Sequence, residues 1–208
     1  MDTATGLSAL RDYNVSRESR ERLKVYVDTL LSWQRRINLI GPSTVDKVWS
    51  RHILDAIQLL PLLPAGTSNI AELGSGAGIP GLVICIAGGV EGHLYESNVK
   101  KAAFLREAIR KTGTRATVHN VRLETLKEKP DLPKVQCVVA RALAPMPMLL
   151  DHAEPFLSQG AIGLFHKGQD VELELTEATK YWKLIVSKHQ SVCDSRGVIL
   201  EVKEAKRV

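Results

Sequence analysis

From residue 67 onward, short apolar runs alternate with stretches of helical periodicity, and the alternation ends in two runs that no helix separates. The runs Ser68–Leu73, His93–Glu96, Ala116–Val121, Val135–Ala140 and Ala161–His166 have strand length. Helical patterns cover Pro80–Ala87, Asn98–Thr112, Met146–Leu157 and Asp170–Tyr181. Such alternation calls for a parallel sheet with helices on both faces, because parallel neighbours can be joined only by a crossover. The last two runs, Leu184–Val192 and Val198–Ala205, are separated by Cys193–Gly197 alone. That is too short for a crossover, so these runs form an antiparallel hairpin. The expected architecture for residues 67–208 is an α/β, Rossmann-like sheet of seven strands ending in that hairpin.

Residues 1–66 have a different texture and are expected to form an N-terminal helical cap. Between Ser16 and Asn38, Leu23, Tyr26, Val27, Leu30, Leu31 and Ile37 fall on one helical stripe, with Glu18 and Glu21 near its positive end. After Gly41-Pro42, the pattern Ser43-x-x-Asp46 predicts a capping box. It would open a second helix that carries Val45, Val48, Trp49, Ile53, Ala56, Ile57 and Leu60 on one face.

The sharpest motif is Glu72-Leu73-Gly74-Ser75-Gly76-Ala77-Gly78-Ile79-Pro80-Gly81, placed between a strand and a helix. Glycines there allow positive φ and close approach of a ligand to the backbone. Free N–H groups at the following helix start can then face a polar group. Glu96, 22 residues beyond Gly74, stands at the end of the next strand, where a carboxylate can accept both ribose hydroxyls of an adenosine. Two ligands compete for this loop. The Gly76–Gly81 stretch also fits the dinucleotide fingerprint G-x-G-x-x-G, which leaves a nicotinamide-dependent oxidoreductase as the alternative. Glu72, however, would meet a pyrophosphate with like charge, whereas it suits a cationic ligand such as the sulfonium and ammonium groups of S-adenosylmethionine. With the C-terminal hairpin, this favours a methyltransferase sheet. After the third strand, Leu123 and Glu124 could hold an adenine ring.

The remaining chemistry narrows the acceptor. The cysteines Cys85, Cys137 and Cys193 are widely spaced with no Cys-x-x-Cys pair, against a disulfide framework or a zinc site. Cys85 and Cys137 lie in apolar, core-like runs unsuited to a nucleophile. Beyond the fourth strand, Ala140-Arg141-Ala142-Leu143-Ala144-Pro145 offers no acid, amide or aromatic for methylating an exocyclic amine. It offers Arg141, which can position a base edge or phosphate but cannot act as a general base. Lys167 is a second cation on the same rim. An acceptor such as guanine N7, with its lone pair exposed, needs no base; no catalytic general base and no metal are expected. Basic clusters at Arg17–Lys24, Arg35-Arg36, Lys100-Lys101 and Arg106–Arg115, with a formal net charge of +5, are compatible with an anionic partner. With no apolar run near the ~18 residues of a membrane span, and with no basic-then-apolar layout at Met1–Thr5, a cytoplasmic protein is expected.

The strings Trp33-x4-Asn38-Leu39, Arg51-His52-Ile53-Leu54-Asp55, the Gly74–Gly81 loop, Val139-Ala140-Arg141-Ala142 and His166-Lys167-Gly168 resemble the RsmG (glucose-inhibited division protein B) family of bacterial 16S rRNA guanine-N7 methyltransferases. The resemblance runs in consistent order from about residue 20 to the C-terminus. It implies a class I S-adenosylmethionine-dependent methyltransferase fold with a helical cap, S-adenosylmethionine as methyl donor, and 16S rRNA of the small subunit or its precursor as partner, without a membrane. A monomer is expected. Carried over, the cofactor contacts are Gly74, Ile79, Leu123, Glu124 and Arg141, with Gly76 and Gly78 completing the loop and Glu96 in the ribose position, where the family often has Asp. Asn38, Arg51, His52, Arg141 and Lys167 are expected to place the RNA or shape the site. His52, on an apolar helix face, reads equally well as a structural histidine. The chain departs from the family in Glu72, where Asp is common, and in Ile40-Gly41, where Thr is frequent.

Overall fold

The computed structural model describes residues 6, 8–129 and 131–208. The expectation of a leaderless Met1–Thr5 therefore lies outside the described residues. Helix α1 spans Arg17–Gln34, capped by Ser16, whose hydroxyl accepts the Ser19 N–H at 3.0 Å, with Glu18 in the first turn. The expected stripe is present, burying Leu23, Tyr26, Val27 and Leu30. The helix stops short of Asn38 because Gln34 turns the chain. Its Oε1 accepts the Leu39 and Ile40 N–H groups at 2.9 and 3.0 Å, and its Nε2 donates to the Ile40 carbonyl at 2.8 Å.

The second cap helix is not the continuous one expected. A 3₁₀ segment (Pro42–Lys47), a π turn (Trp49–Ile53), a single α turn α2 (Leu54–Ile57) and another 3₁₀ segment (Leu60–Leu62) follow one another. The N-cap is Gly41 rather than Ser43, with no side-chain cap among the described residues; Pro42 starts the first segment and Thr44 Oγ1 donates to the Gly41 carbonyl at 2.7 Å. The apolar face survives, with Val48, Trp49, Ile53, Ala56 and Ile57 buried, because tight and wide turns both return side chains to one side every three to five residues. The wide turn carries Arg51 and His52.

The sheet is built from β1 (Asn69–Leu73), β2 (Glu91–Tyr95), β3 (Ala116–His119), β4 (Cys137–Arg141), β5 (Ile162–Lys167), β6 (Trp182–Gln190) and β7 (Val198–Arg207). Its seven strands run in the order β3-β2-β1-β4-β5-β7-β6. β1 to β5 pair in parallel, and β7 runs antiparallel to both β5 and β6, as the short Cys193–Gly197 connection required. The central β1 and β4 are buried along nearly their whole length, since helices cover both faces. Helices α3 (Gly81–Gly88) and α4 (Val99–Thr112) lie on one face; α5 (Met146–Leu157) and α6 (Val171–Ala178) lie on the other. β3 ends two residues earlier than expected, where the Asn120 amide donates to the Glu96 and Ser97 carbonyls at 2.7 and 3.0 Å and draws the chain toward β2.

The cap has no core apart from the sheet. Leu23, Tyr26, Val27, Leu30, Trp49 and Ile53 form one apolar cluster with Leu82, Val83 and Ile86 of α3 and Phe104, Leu105 and Ala108 of α4. Phe104 receives the rings of Tyr26 and Trp33 at centroid distances of 6.3 and 5.9 Å. The cap is thus held over the carboxyl ends of β1 and β4, where ligands of open α/β sheets sit.

Candidate functional site

β1 leads into the glycine loop, where Gly74, Gly76 and Gly78 take φ of +64°, +53° and +78°. A Cβ at Gly76 would meet nothing closer than 3.8 Å, so this backbone faces open space; at Gly74 it would lie 2.5 Å from Leu143 Cδ1. Gly78 is different: a Cβ there would strike Leu82 and Leu105 at 2.8 and 2.9 Å. Sequence reasoning grouped Gly78 with the cofactor contacts, but it serves helix packing and is absent from the cleft walls.

At the end of β2 the Glu96 carboxylate is pinned. One oxygen accepts the Gly76 N–H at 2.7 Å and the other accepts the Asn98 N–H at 2.7 Å, which keeps a second lone pair free on each. Glu96 and Tyr95 form, with Gly74, Gly76, Leu123 and Glu124, a cleft of about 400 Å³. A neighbouring cleft of about 320 Å³ runs between Ile40, His52, Gly76, Ile79 and Arg141. The two share Gly74, Gly76, Lys101 and Ala142. Ala142 has φ of +50°, a conformation costly for a residue with a Cβ, and it turns the chain sharply at the end of β4. Backbone N–H groups, a fixed carboxylate and an apolar wall in one elongated cleft fit an adenosine with a charged tail.

Glu72 stands near the end of β1 as expected, but its side chain is turned away from the ligand clefts. Its carboxyl is buried beneath the loop, outside both clefts; Oε1 accepts the Gly81 N–H at 2.6 Å, and Oε2 has no hydrogen-bond partner among the described residues. Burial pushes its pKa up to about 8, so at neutral pH it is mostly a neutral acid rather than a countercharge for a sulfonium. Beside it, the buried Tyr26 hydroxyl donates to the Ala77 carbonyl at 2.6 Å and ties α1 to the middle of the loop. Burial, and then the nearby Glu72, raise the Tyr26 pKa, which keeps the phenol a donor.

The cations on the strand rim are not free, contrary to expectation. Arg141 Nη1 lies 3.1 Å from Asp55 Oδ2 and Nη2 donates to the Arg51 carbonyl at 3.2 Å. Lys167 is paired with Glu174, donates to the Ala144 carbonyl at 3.0 Å, and has a side chain only 7% exposed, so it is a strut between β5 and α6. Asp55 is also bound by Gln58 Nε2 at 2.6 Å, and its carbonyl accepts from His166 Nε2 at 2.9 Å. Burial lowers the His166 pKa against the opposing pull of Asp55, leaving a neutral imidazole at neutral pH. Arg51 reaches the β6–β7 turn, donating to the Cys193 carbonyl at 3.2 Å and to Asp194 Oδ2 at 3.3 Å.

Of the remaining candidates, His52 is buried, with Nε2 at 2.7 Å from the Thr44 hydroxyl, and it lines the second cleft. Asn38 is exposed and lines neither cleft; a long 3.4 Å contact from Gln34 reaches its Oδ1. Burial raises the Cys85 and Cys137 thiols and holds Cys193 at about 12, against any thiolate role. Sequence reasoning missed Tyr26, Gln34, Gln58 and the structural use of Asp55. Their only signal was a polar atom on an otherwise apolar helical face.

This sheet order and cleft define a class I methyltransferase fold. Residues 19–201 match the GidB family, described as rRNA small subunit methyltransferase G. The ribosomal RNA small subunit methyltransferase G of Rhodospirillum rubrum is 50% identical over 196 residues, covering 94% of this chain and 96% of its own. The chain belongs to this family. Among solved structures, the ribosomal protein L11 methylase of Lactobacillus delbrueckii subsp. bulgaricus superposes with a TM-score of 0.54 at 14% identity, covering 79% of this chain and 80% of that one. TrmK of M. capricolum, solved in complex with S-adenosyl-homocysteine, gives a TM-score of 0.54 at 12% identity over 72% of this chain and 67% of its own. At such identities the two structures speak to the fold alone.

Proposed function

We propose that this chain transfers a methyl group from S-adenosylmethionine to N7 of a guanine in 16S rRNA, acting as a cytoplasmic monomer. The observation that carries the proposal is the Gly74–Glu96 cleft in a chain whose residues 19–201 match rRNA small subunit methyltransferase G, beside a polar chamber at the ends of β4 and β5 that shares Ala142 with it. When bound, S-adenosylmethionine supplies an electrophilic methyl group on a sulfonium. The free lone pairs of Glu96 suit ribose hydroxyls, Leu123 and Glu124 suit the adenine, and Gly74, Gly76 and Ile79 suit the methionine end. Catalysis is then alignment of donor and acceptor rather than proton transfer. The neutral His166 and the cationic Arg141 fit that scheme, since guanine N7 already presents its lone pair. Among the described residues no helix is long and apolar enough to cross a membrane.

The division into a cap (1–66) and a sheet domain (67–208) becomes functional in this reading: the sheet holds the donor and the cap helps frame the acceptor. Labelled-methyl transfer to small-subunit rRNA, followed by borohydride and aniline, tests the proposal. Strand cleavage at one labelled guanine is expected. Transfer with no cleavage would move the methyl to another atom, and no transfer to free rRNA, an assembly intermediate or the finished subunit would sink the proposal.

A further inference from the structure

The carboxylate that suits the cofactor's ribose is fixed by a side chain that lines neither cleft. Glu96 directly follows β2, and its backbone is tied on two sides. Its N–H donates to the His119 carbonyl at 3.1 Å, and its own carbonyl accepts from Asn120 Nδ2 at 2.7 Å. The same amide nitrogen donates to the Ser97 carbonyl at 3.0 Å. With its carboxylate oxygens on the Gly76 and Asn98 N–H groups, Glu96 is held at both ends. Among the described residues Asn120 is the one side chain that hydrogen-bonds its backbone.

Asn120 can do this only if the end of β3 is itself firm. β3 is an edge strand of four residues, and the end of such a strand frays unless side chains hold it. Here the Tyr95 ring stacks on His119, with centroids 4.5 Å apart and planes 14° from parallel. His93 Nδ1 lies 3.2 Å from His119 Nε2. Burial lowers the pKa of both imidazoles, so at neutral pH they are uncharged and one ring can donate to the other. The His119 carbonyl accepts the Val121 N–H at 3.0 Å as well as that of Glu96, which makes a three-residue turn with Asn120 at its apex. The turn sends the Asn120 side chain back over the end of β2, while the main chain runs on into Val121, Leu123 and Glu124 of the cleft wall.

We infer that Asn120 is a positioning residue for the cofactor, acting through Glu96. The inference rests on the reading of Glu96 as the ribose contact. A carboxylate that accepts ribose hydroxyls must aim its free lone pairs in one direction, because hydrogen bonds weaken steeply when misaligned. The Gly76 and Asn98 N–H groups orient the carboxylate, and Asn120 fixes the main chain from which it projects. An amide is the group this position needs: its nitrogen carries two hydrogens, one for each of the Glu96 and Ser97 carbonyls. An aspartate of the same size, ionised, offers neither.

The test compares Asn120→Ala and Asn120→Asp with the wild type in calorimetric affinity for S-adenosylhomocysteine and, by displacement, for its 2′,3′-dideoxy analogue. Asn120 is exposed, so neither replacement opens a cavity, and urea unfolding checks that each variant folds. Asn120→Ala should weaken S-adenosylhomocysteine binding by about fivefold to tenfold, and Asn120→Asp by at least as much. The analogue has no hydroxyl for Glu96 to accept, so Asn120→Ala should change its affinity by less than about twofold. A merely structural role would weaken both ligands alike. Equal losses for the two ligands, or no loss for S-adenosylhomocysteine, overturn the positioning role alone. A wild type that binds the two ligands equally, or binds neither, overturns Glu96 as the ribose contact and the inference with it.

Discussion

Glu72→Gln separates a structural carboxyl from a cofactor countercharge. In the unfolded chain Glu72 ionises near 4.5, and in the folded protein near 8, so between these values the native state holds a proton that the unfolded state has released. Stability therefore falls as pH rises through this window and levels off above it. At about 1.4 kcal/mol per pH unit, the cost is about 3 kcal/mol at pH 7, and it grows by about 2 kcal/mol in all between pH 6.5 and 8. Glutamine keeps an oxygen for the Gly81 N–H but puts an amide where Oε2 has no partner, which costs about 2 kcal/mol at every pH. The variant should match the wild type near pH 6.5 and exceed it by about 2 kcal/mol at pH 8. Urea unfolding followed by tryptophan fluorescence from pH 6 to 8.5, with m checked for constancy, measures both curves. His93, His119 and His166, whose pKa values burial lowers, give the opposite slope near and below pH 6.5, and they cancel in the difference between the two proteins. A difference that does not grow between pH 6.5 and 8 would refute the reasoning: Glu72 would then be ionised in the folded protein, as a countercharge must be.

Tyr26→Phe strands the buried Ala77 carbonyl, and it should cost about 1–2 kcal/mol in unfolding and weaken S-adenosylhomocysteine binding while KM for RNA holds; calorimetry beside urea unfolding checks this, and unaltered binding would detach the cap from the cofactor loop. Arg141→Ala leaves Asp55 buried with its ion partner gone and should destabilise by about 3 kcal/mol in addition to slowing methyl transfer; the double variant with Asp55→Ala should cost less than the sum, and strict additivity would dissolve the pair. Glu96→Gln sets an amide donor against either the Gly76 or the Asn98 N–H and should lower S-adenosylhomocysteine affinity at least about tenfold by calorimetry; an unchanged affinity would remove Glu96 from the ribose position.

What was legible in the sequence is what local pattern encodes. Strand runs, the five-residue hairpin link and the glycine loop before a helix are short-range signals, and each appears close to its expected bounds. The second cap helix was misread because an apolar face at roughly helical spacing does not distinguish an α-helix from tight and wide turns in succession, all of which bury Val48, Trp49 and Ile53. The rim charges were misread for another reason. Arg141 and Asp55 are 86 residues apart, and only the docking of cap on sheet brings them to 3.1 Å; no window of sequence holds both. Glu72 shows the limit most sharply: its position was right at the end of β1, yet one side-chain rotation beneath the loop changes its charge at neutral pH.

These pairings carry a consequence for how the chain meets RNA. A rim of free arginines and lysines would attract phosphate anywhere along it and hold the acceptor in many poses. With Arg51, Arg141 and Lys167 each matched by a carboxylate, long-range attraction falls to outer residues such as Arg196 and Lys101, and the inner wall offers shape and fixed hydrogen-bonding groups. Steering and placement are then separate tasks assigned to separate residues. Added salt should therefore weaken capture of RNA far more than it slows transfer once the RNA is bound, since only the exposed charges are screened. KM for RNA rising steeply from about 50 to 200 mM salt with kcat nearly level is the expected result. A kcat that falls in parallel would mean that the inner cations exchange their carboxylates for phosphate during turnover.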